Sequence, residues 1–164
     1  MIGLEIEEIT HNEKQYVIFY LADKKFGVNI KESKEILSNT DLTFVPDSPD
    51  YISGIINLRG SVVPVVDLKR RLNINTVKSD GNQKIIIIDL PELTAGMLVD
   101  EVKEIKALEV ENIVDLPDLA KNINRDYIEG VGRVGEDNEL LILLDLKNIL
   151  TAQEIEELKN VDKK

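Results

Sequence analysis

Asp50-Tyr51-Ile52-Ser53-Gly54 recurs as Asp126-Tyr127-Ile128-Glu129-Gly130, and this echo decides how the chain is read. Around it, Val65-Val66-Asp67-Leu68-Lys69 returns as Leu143-Leu144-Asp145-Leu146-Lys147. Upstream, Gly27–Ile36 aligns with Gly96–Ile105, both ending in Lys-Glu-Ile, and Val45-Pro46-Asp47 has a weaker echo in Leu116-Pro117-Asp118. The three main matches keep their order at spacings of 69, 76 and 78 residues. A unit of roughly 60–70 residues therefore occurs twice, a length typical of small repeated modules. The first copy and its barrel are placed at 15–75 and the second at 83–150. The linker between them, 76–82, contains the turn formers Lys78-Ser79-Asp80-Gly81-Asn82.

Each copy reads mostly as strand, which makes the fold all-β. Short runs of Ile, Val and Leu bounded by turn signals predict strands at Tyr16–Leu21 and Ile85–Leu90, each followed by a hairpin partner at Phe26–Ile30 and Gly96–Val99. A later pair is predicted at Ser61–Asp67 and Glu139–Asp145. Pro64 has no N–H to give to a ladder, so an edge or a bulge is expected there. Runs apolar at every position, such as Ile85–Ile88, point to closed or stacked sheets. A short helix is expected after Ser48-Pro49 in the first copy and after Asn124 in the second, with Gly54 and Gly130 allowing the exit. Thr151-Ala152-Gln153-Glu154 is a capping-box pattern and opens a C-terminal helix and tail over 151–164.

The chain has 164 residues, 20 Lys+Arg against 31 Asp+Glu, and a net charge of −11, a field that repels a phosphate backbone. It contains no cysteine, so disulfides, thiolate catalysis and cysteine zinc sites are excluded. One histidine, His11, lies in the acidic N-terminal extension 1–14 and reads as a surface residue. That extension lacks the basic start and apolar run of a signal peptide. No apolar stretch approaches the length of a membrane span, and a soluble cytoplasmic protein is expected.

Signatures of chemistry are sparse. Phosphate-loop, zinc-protease, nucleophile-elbow and EF-hand patterns are all missing. Gly135-Glu136-Asp137-Asn138-Glu139 is acidic but lacks alternating calcium-ligand spacing, and reads as a solvated hairpin tip. Asp67 and Asp145 form the one carboxylate pair worth weighing as a hydrolase site. Their identical place in both copies, at a strand end before a helical turn, is explained by capping. A scaffold subunit of some other assembly is a further alternative.

Positions alike in both copies serve the shared fold, and positions that differ are free to specialise. Asn57-Leu58-Arg59-Gly60 has no counterpart in the second copy, which carries Gly132-Arg133-Val134-Gly135. Arg59 reads either as a solvated hairpin-tip residue or as a guanidinium fork held beside an apolar groove to meet a carboxylate. If the copies pack pseudo-symmetrically, apolar residues along Gly27–Ile36 and Gly96–Ile105 face a crevice between barrels. With seven aromatics and no Trp, such an aliphatic groove suits an apolar helix face better than a sugar or base.

The segment Val45–Gly60, containing "DYISG" and "INLRG", followed by Val63-Pro64-Val65-Val66-Asp67-Leu68, resembles the signature of the CheW chemotaxis coupling proteins. The likeness extends from about 15 to 150. That module also occurs in chemotaxis histidine kinases and CheV proteins, but no phosphotransfer, ATP-binding or receiver segment is expected here. The resemblance implies two five-stranded SH3-like β-barrels related by duplication, no catalysis and no cofactor. It implies a cytoplasmic adaptor on membrane receptor arrays, bound to the hairpin tip of methyl-accepting chemoreceptors and to the regulatory domain of the kinase CheA. Carried over by motif, the receptor groove between the barrels would involve Val17, Ile30, Ser33, Ile36, Val102 and Lys103, with Glu35, Asn57 and Arg59 beside it. Ser33 departs from the branched apolar residue common in the family, and Val102 occupies its place in the second copy. The kinase contact is expected at barrel ends, with no residues assigned.

Overall fold

The computed structural model describes residues 12–38, 41–74, 81–116, 126–137 and 139–161, with side chains through residue 159. The strands are β1 (Glu13–Leu21), β2 (Lys24–Asn29), β3 (Ser33–Ser38), β4 (Ile52–Leu58), β5 (Ser61–Asp67), β6 (Lys84–Asp89), β7 (Thr94–Val99), β8 (Glu101–Glu109), β9 (Ile113–Val114), β10 (Ile128–Val134) and β11 (Glu139–Leu144). They form two sheets, ordered β8-β1-β2-β11-β10-β9 and β3-β6-β7-β5-β4. The sixth strand of the first sheet, β9, contributes only two residues. Its counterpart in the second sheet is reduced to the single bridge Thr43–Ile55.

The duplication is written into the pairing. Parallel pairing of β11 with β2 joins Leu143 to Gly27, and that of β5 with β7 joins Val65 to Gly96. A register shift between Ile52 and Gly54 in β4–β5 is matched between Ile128 and Gly130 in β10–β11. The Asp67 and Asp145 amides donate to the Tyr51 and Tyr127 carbonyls, both at 2.7 Å.

The sheets nevertheless do not coincide with the copies. The first takes β1 and β2 from the first copy and β8–β11 from the second, and the other sheet takes β3–β7. The assignment of one barrel to 15–75 and the other to 83–150 is therefore corrected: each copy gives its first hairpin to one sheet and its later strands to the other. The reason is burial. Val17, Phe19 and Leu21 on one face of β1, and Ile86 and Ile88 on one face of β6, enter a central cluster shared by both sheets. Tyr16 and Ile18 on the opposite face of β1 fill the interior of one sheet, and Ile85 and Ile87 fill the other. A hairpin apolar on both faces needs a partner on each side, and the exchange supplies it.

Asp67 accepts from the Lys69 amide at 3.0 Å and caps a short helix at Leu68–Arg71. Asp145 accepts from the Lys147 amide at 3.2 Å and caps a 3₁₀ turn at Leu146–Asn148. The capping box of the C-terminal helix (Ala152–Val161) is reciprocal: the Glu154 amide donates to Thr151 Oγ1 at 3.1 Å and the Thr151 amide to Glu154 Oε1 at 2.8 Å. Ile155 and Leu158 of that helix enter the central cluster.

Two local expectations are corrected. No helix follows Ser48-Pro49; a single turn closes there, with the Ile52 amide donating to the Pro49 carbonyl, and the Ser48 hydroxyl bonds back to Val45 O. Asn124, the other expected cap, lies outside the described residues, as do Pro117, Asp118, His11 and most of the linker. Pro64 sits on β5, which lies inside its sheet, with no bulge at the proline. It is tolerated because parallel pairing with β7 begins only at Val65.

Gly54 has a spatial reason rather than a helix-exit role. A Cβ there would fall 2.5 Å from the Thr43 carbonyl oxygen, and one at Gly130 would fall 2.8 Å from that of Val114. Gly54→Val is expected to lower unfolding free energy by about 3 kcal/mol. Gly60→Ala, with open space around it but φ of 89°, is expected to cost about 1 kcal/mol. Denaturant melts of the two variants check this, and equal stabilities would refute the close-approach account.

Candidate docking surface

Glu35 and Arg59 are brought together from the two edge strands of the second sheet. Arg59 lies at the tip of the β4–β5 hairpin in a left-handed conformation (φ 50°), followed by Gly60 (φ 89°). Asn57 stabilises this tip, its Oδ1 accepting from the Gly60 amide at 2.9 Å. The guanidinium donates from Nη1 to Glu35 Oε2 at 2.7 Å and from Nη2 to Oε1 at 2.8 Å. This bidentate pair straps β3 to the opposite edge of the curled sheet, where no backbone ladder joins them. Hydrogen bonding from Arg59 holds the Glu35 carboxyl below the usual carboxylate range. The arginine side chain remains 71% exposed. The guanidinium is thus both fixed in place and presented to solvent.

β3 and β8 occupy equivalent edges. Ile36 pairs with Ile86 in β6, and Ile105 pairs with Val17 in β1. Directly paired residues share a face, so Ile36 and Ile105 continue the face of the central cluster out to its two rims. Ile36 is 38% exposed and Ile105 54%. Ile30 and Val102 are half-buried against the same cluster. Ser33 faces Ile88 on β6 and is half-buried. Lys103 is the extra residue of the bulge between Ile18 and Phe19 on β1, as Lys34 is of the bulge in β3–β6. Extra residues of this kind turn a strand edge and re-aim its side chains.

Val17 is a correction. It is 1% exposed and belongs to the central cluster, so no partner reaches it. Ile105, directly across the ladder from it, is the exposed member of that pair. The signal for Ile105 was its alignment with Ile36 across the repeat. Sequence reasoning also missed Phe44, 76% exposed beside the Thr43–Ile55 bridge, with Leu42 39% exposed nearby. A lone aromatic between a polar stretch and a proline carries no periodic signal.

The hydrolase reading gains nothing from the geometry. Asp67 and Asp145 are committed to caps, and Glu139 of the acidic hairpin pairs with Lys25 at 2.9 Å. Among the described residues no His, Asp and Glu side chains gather as metal ligands, and no helix is long and apolar enough to cross a membrane.

A duplicated β-scaffold with exposed aliphatic residues on two edge strands and an exposed arginine fork at a hairpin tip is suited to protein contacts. The chain belongs to the CheW-like domain family, whose model matches residues 15–154. It is 31% identical to the chemotaxis protein CheW of Klebsiella aerogenes over 150 residues, which are 92% of this chain and 89% of that protein. It is 32% identical to the chemotaxis protein CheW of Bacillus subtilis over 146 residues, 89% of this chain and 92% of that one. The crystal structure of the scaffolding protein TtCheW from Thermoanaerobacter tengcongensis matches with a TM-score of 0.77 at 30% identity. That match covers 86% of this chain and 94% of that one. The fold is accordingly the duplicated SH3-like architecture, and the chain is a chemotaxis scaffold of the coupling type.

Arg59→Ala is expected to leave the fold intact, because exposed ion pairs contribute little to stability. It should also release the Glu35 carboxyl upward toward the usual range. Carboxyl NMR titration of Glu35 in both forms checks this; an unmoved titration would mean that the pair does not persist in solution.

Proposed function

We infer that this chain is a non-catalytic adaptor that couples chemoreceptor cytoplasmic tips to the CheA histidine kinase in bacterial chemotaxis. It works in the cytoplasm at membrane receptor arrays and requires no cofactor. The observation that carries the reading is the exposure of Ile36 and Ile105 on the edge strands β3 and β8, with the Arg59–Glu35 fork held on β3 at the residue next to Ile36. An aliphatic face takes the apolar stripe of a helical hairpin, and the fork meets a carboxylate or amide on its polar flank. Ile30, Ser33, Val102, Lys103 and Asn57 complete this receptor surface. Ser33 thins it on the β3 side, which places more of the contact on Ile36 and Ile105.

The kinase takes a second surface. Phe44 and Leu42 lie on the stretch bridged to β4 and supply an aromatic anchor of the kind that dominates protein interfaces. Two contacts on one rigid body allow receptor and kinase to bind together, and the coupling between them is then a reciprocal free energy rather than a chemical step.

Co-sedimentation with a receptor cytoplasmic fragment and the kinase, with autophosphorylation as readout, tests the reading. Ile36→Asp is expected to weaken receptor recovery by about tenfold or more while kinase binding persists. Phe44→Ser is expected to do the reverse. Wild-type chain that recruits neither partner, or leaves kinase activity unchanged in the ternary mixture, would overturn the proposal.

A further inference from the structure

Glu32 closes the 3₁₀ turn Ile30–Glu32, which carries the chain from β2 in one sheet to β3 in the other. Its Oε1 accepts the Lys147 amide at 3.3 Å, and Asp145 Oδ1 accepts the same amide at 3.2 Å. Two carboxylates from opposite copies thus converge on one N–H. The other oxygen of Asp145 accepts from Asn148 Nδ2 at 2.9 Å. Glu129, on β10, adds negative field, and its Oε2 accepts the hydroxyl of the buried Tyr16 on β1 at 2.7 Å. Among the described residues the charges that act on Glu32 are therefore Asp145, Glu129 and Lys147, and only Lys147 favours its ionised form.

The equivalent site in the other half is built differently. Asp67 accepts from the amides of Lys69 and Arg70, and the crossover between β7 and β8 is held by an attractive pair, Lys69 Nζ to Asp100 Oδ1 at 2.7 Å. Like charges that share a site cannot both ionise at low cost, so one of them keeps its proton. We propose that Glu32 keeps its proton beside Asp145 and forms a pH-sensitive latch on the β2–β3 crossover, closed while the proton is held and loosened when it leaves.

Half-burial first, and the Asp145 charge second, push the Glu32 carboxyl up to about 7. A carboxyl raised in the folded chain binds its proton more tightly there than in the unfolded chain. Its contribution is complete below the ordinary glutamate range and is lost as pH rises through about 7. The latch is a property of the chain alone. Its effect on docking, through Ile30 and Ser33 on either side of Glu32, rests on the receptor surface proposed above.

Carboxyl NMR titration of the full chain is the direct test. Glu32 is expected to titrate near neutrality, and Asp145→Asn should lower it part of the way, with burial holding the rest of the shift. Stability in denaturant melts is expected to fall between about pH 6 and pH 8, and to stay constant over that range in Glu32→Gln. Both carboxyls ionised by about pH 5.5, or the same loss of stability in the glutamine variant, would overturn the latch. Receptor co-sedimentation over the same range separates the two ideas. Recovery that falls in wild type alone extends the latch to docking. Constant recovery with the NMR titration as expected leaves the latch standing and counts only against its link to docking.

Discussion

The architecture depends on two strands, β1 and β6, that are apolar on both faces. Neither can lie on a surface. Each side of Tyr16–Leu21 and of Ile85–Ile88 must meet apolar neighbours, or the chain forfeits roughly 25 cal/mol for every Å² left wet. Exchange of the first hairpins between sheets satisfies both sides at once, giving three clusters from a chain of modest size. The exchange has its own demands. The chain must cross between sheets at Ile30–Glu32 and again at Asp100, and polar groups at each crossing must find partners in a partly dry seam. Asp100 does so through Lys69 and the Ala22 amide. Glu32 does so through a donor that Asp145 already uses. The halves are thus alike in backbone and unlike in the electrostatics of their seams.

Much of this was legible in the residues. The copies of Asp-Tyr-Ile-x-Gly and of the Val-Val-Asp-Leu-Lys type mark recurring backbone features, a glycine at a close approach and an aspartate cap after a strand. The run Ile85–Ile88 announced two-sided burial through its lack of alternation. Which copy's strands share a sheet was not legible. A repeat reports the unit that was duplicated, and hairpin exchange leaves every local signal unchanged while altering only long-range pairing. The helix expected after Ser48-Pro49 failed for a related reason: cap chemistry permits a helix start, but one turn closes with the Ile52 amide on the Pro49 carbonyl and β4 begins at Ile52.

The docking surface divides the same way. Glu35 and Arg59, 24 positions apart, form a bidentate pair, and the arginine combines features of both readings, solvated at a hairpin tip and paired to a carboxylate. Val17 and Ile105 show the limit of motif transfer. They are cross-strand partners, so a single step from one strand to the next separates a core residue from a rim residue. An edge strand is where that distinction is sharpest, since the inner member of a pair is covered on both sides and the outer on only one.

An adaptor of this build transmits by rigidity. Its central cluster draws on both sheets, so a load on β3 is carried into β6 and β7, which take part in the same cluster as β1 and β2. Close-packed interiors respond to such loads by switching between discrete packings rather than by bending smoothly. The places where a discrete change costs least are the crossovers, which are held by a few polar contacts instead of a ladder. One crossover is closed by the opposite charges of Lys69 and Asp100. The other brings the like-charged side chains of Glu32 and Asp145 to one amide. Any bistability in the adaptor therefore belongs to the seam at Glu32, next to the surface that the receptor would grip, and not to the barrels themselves.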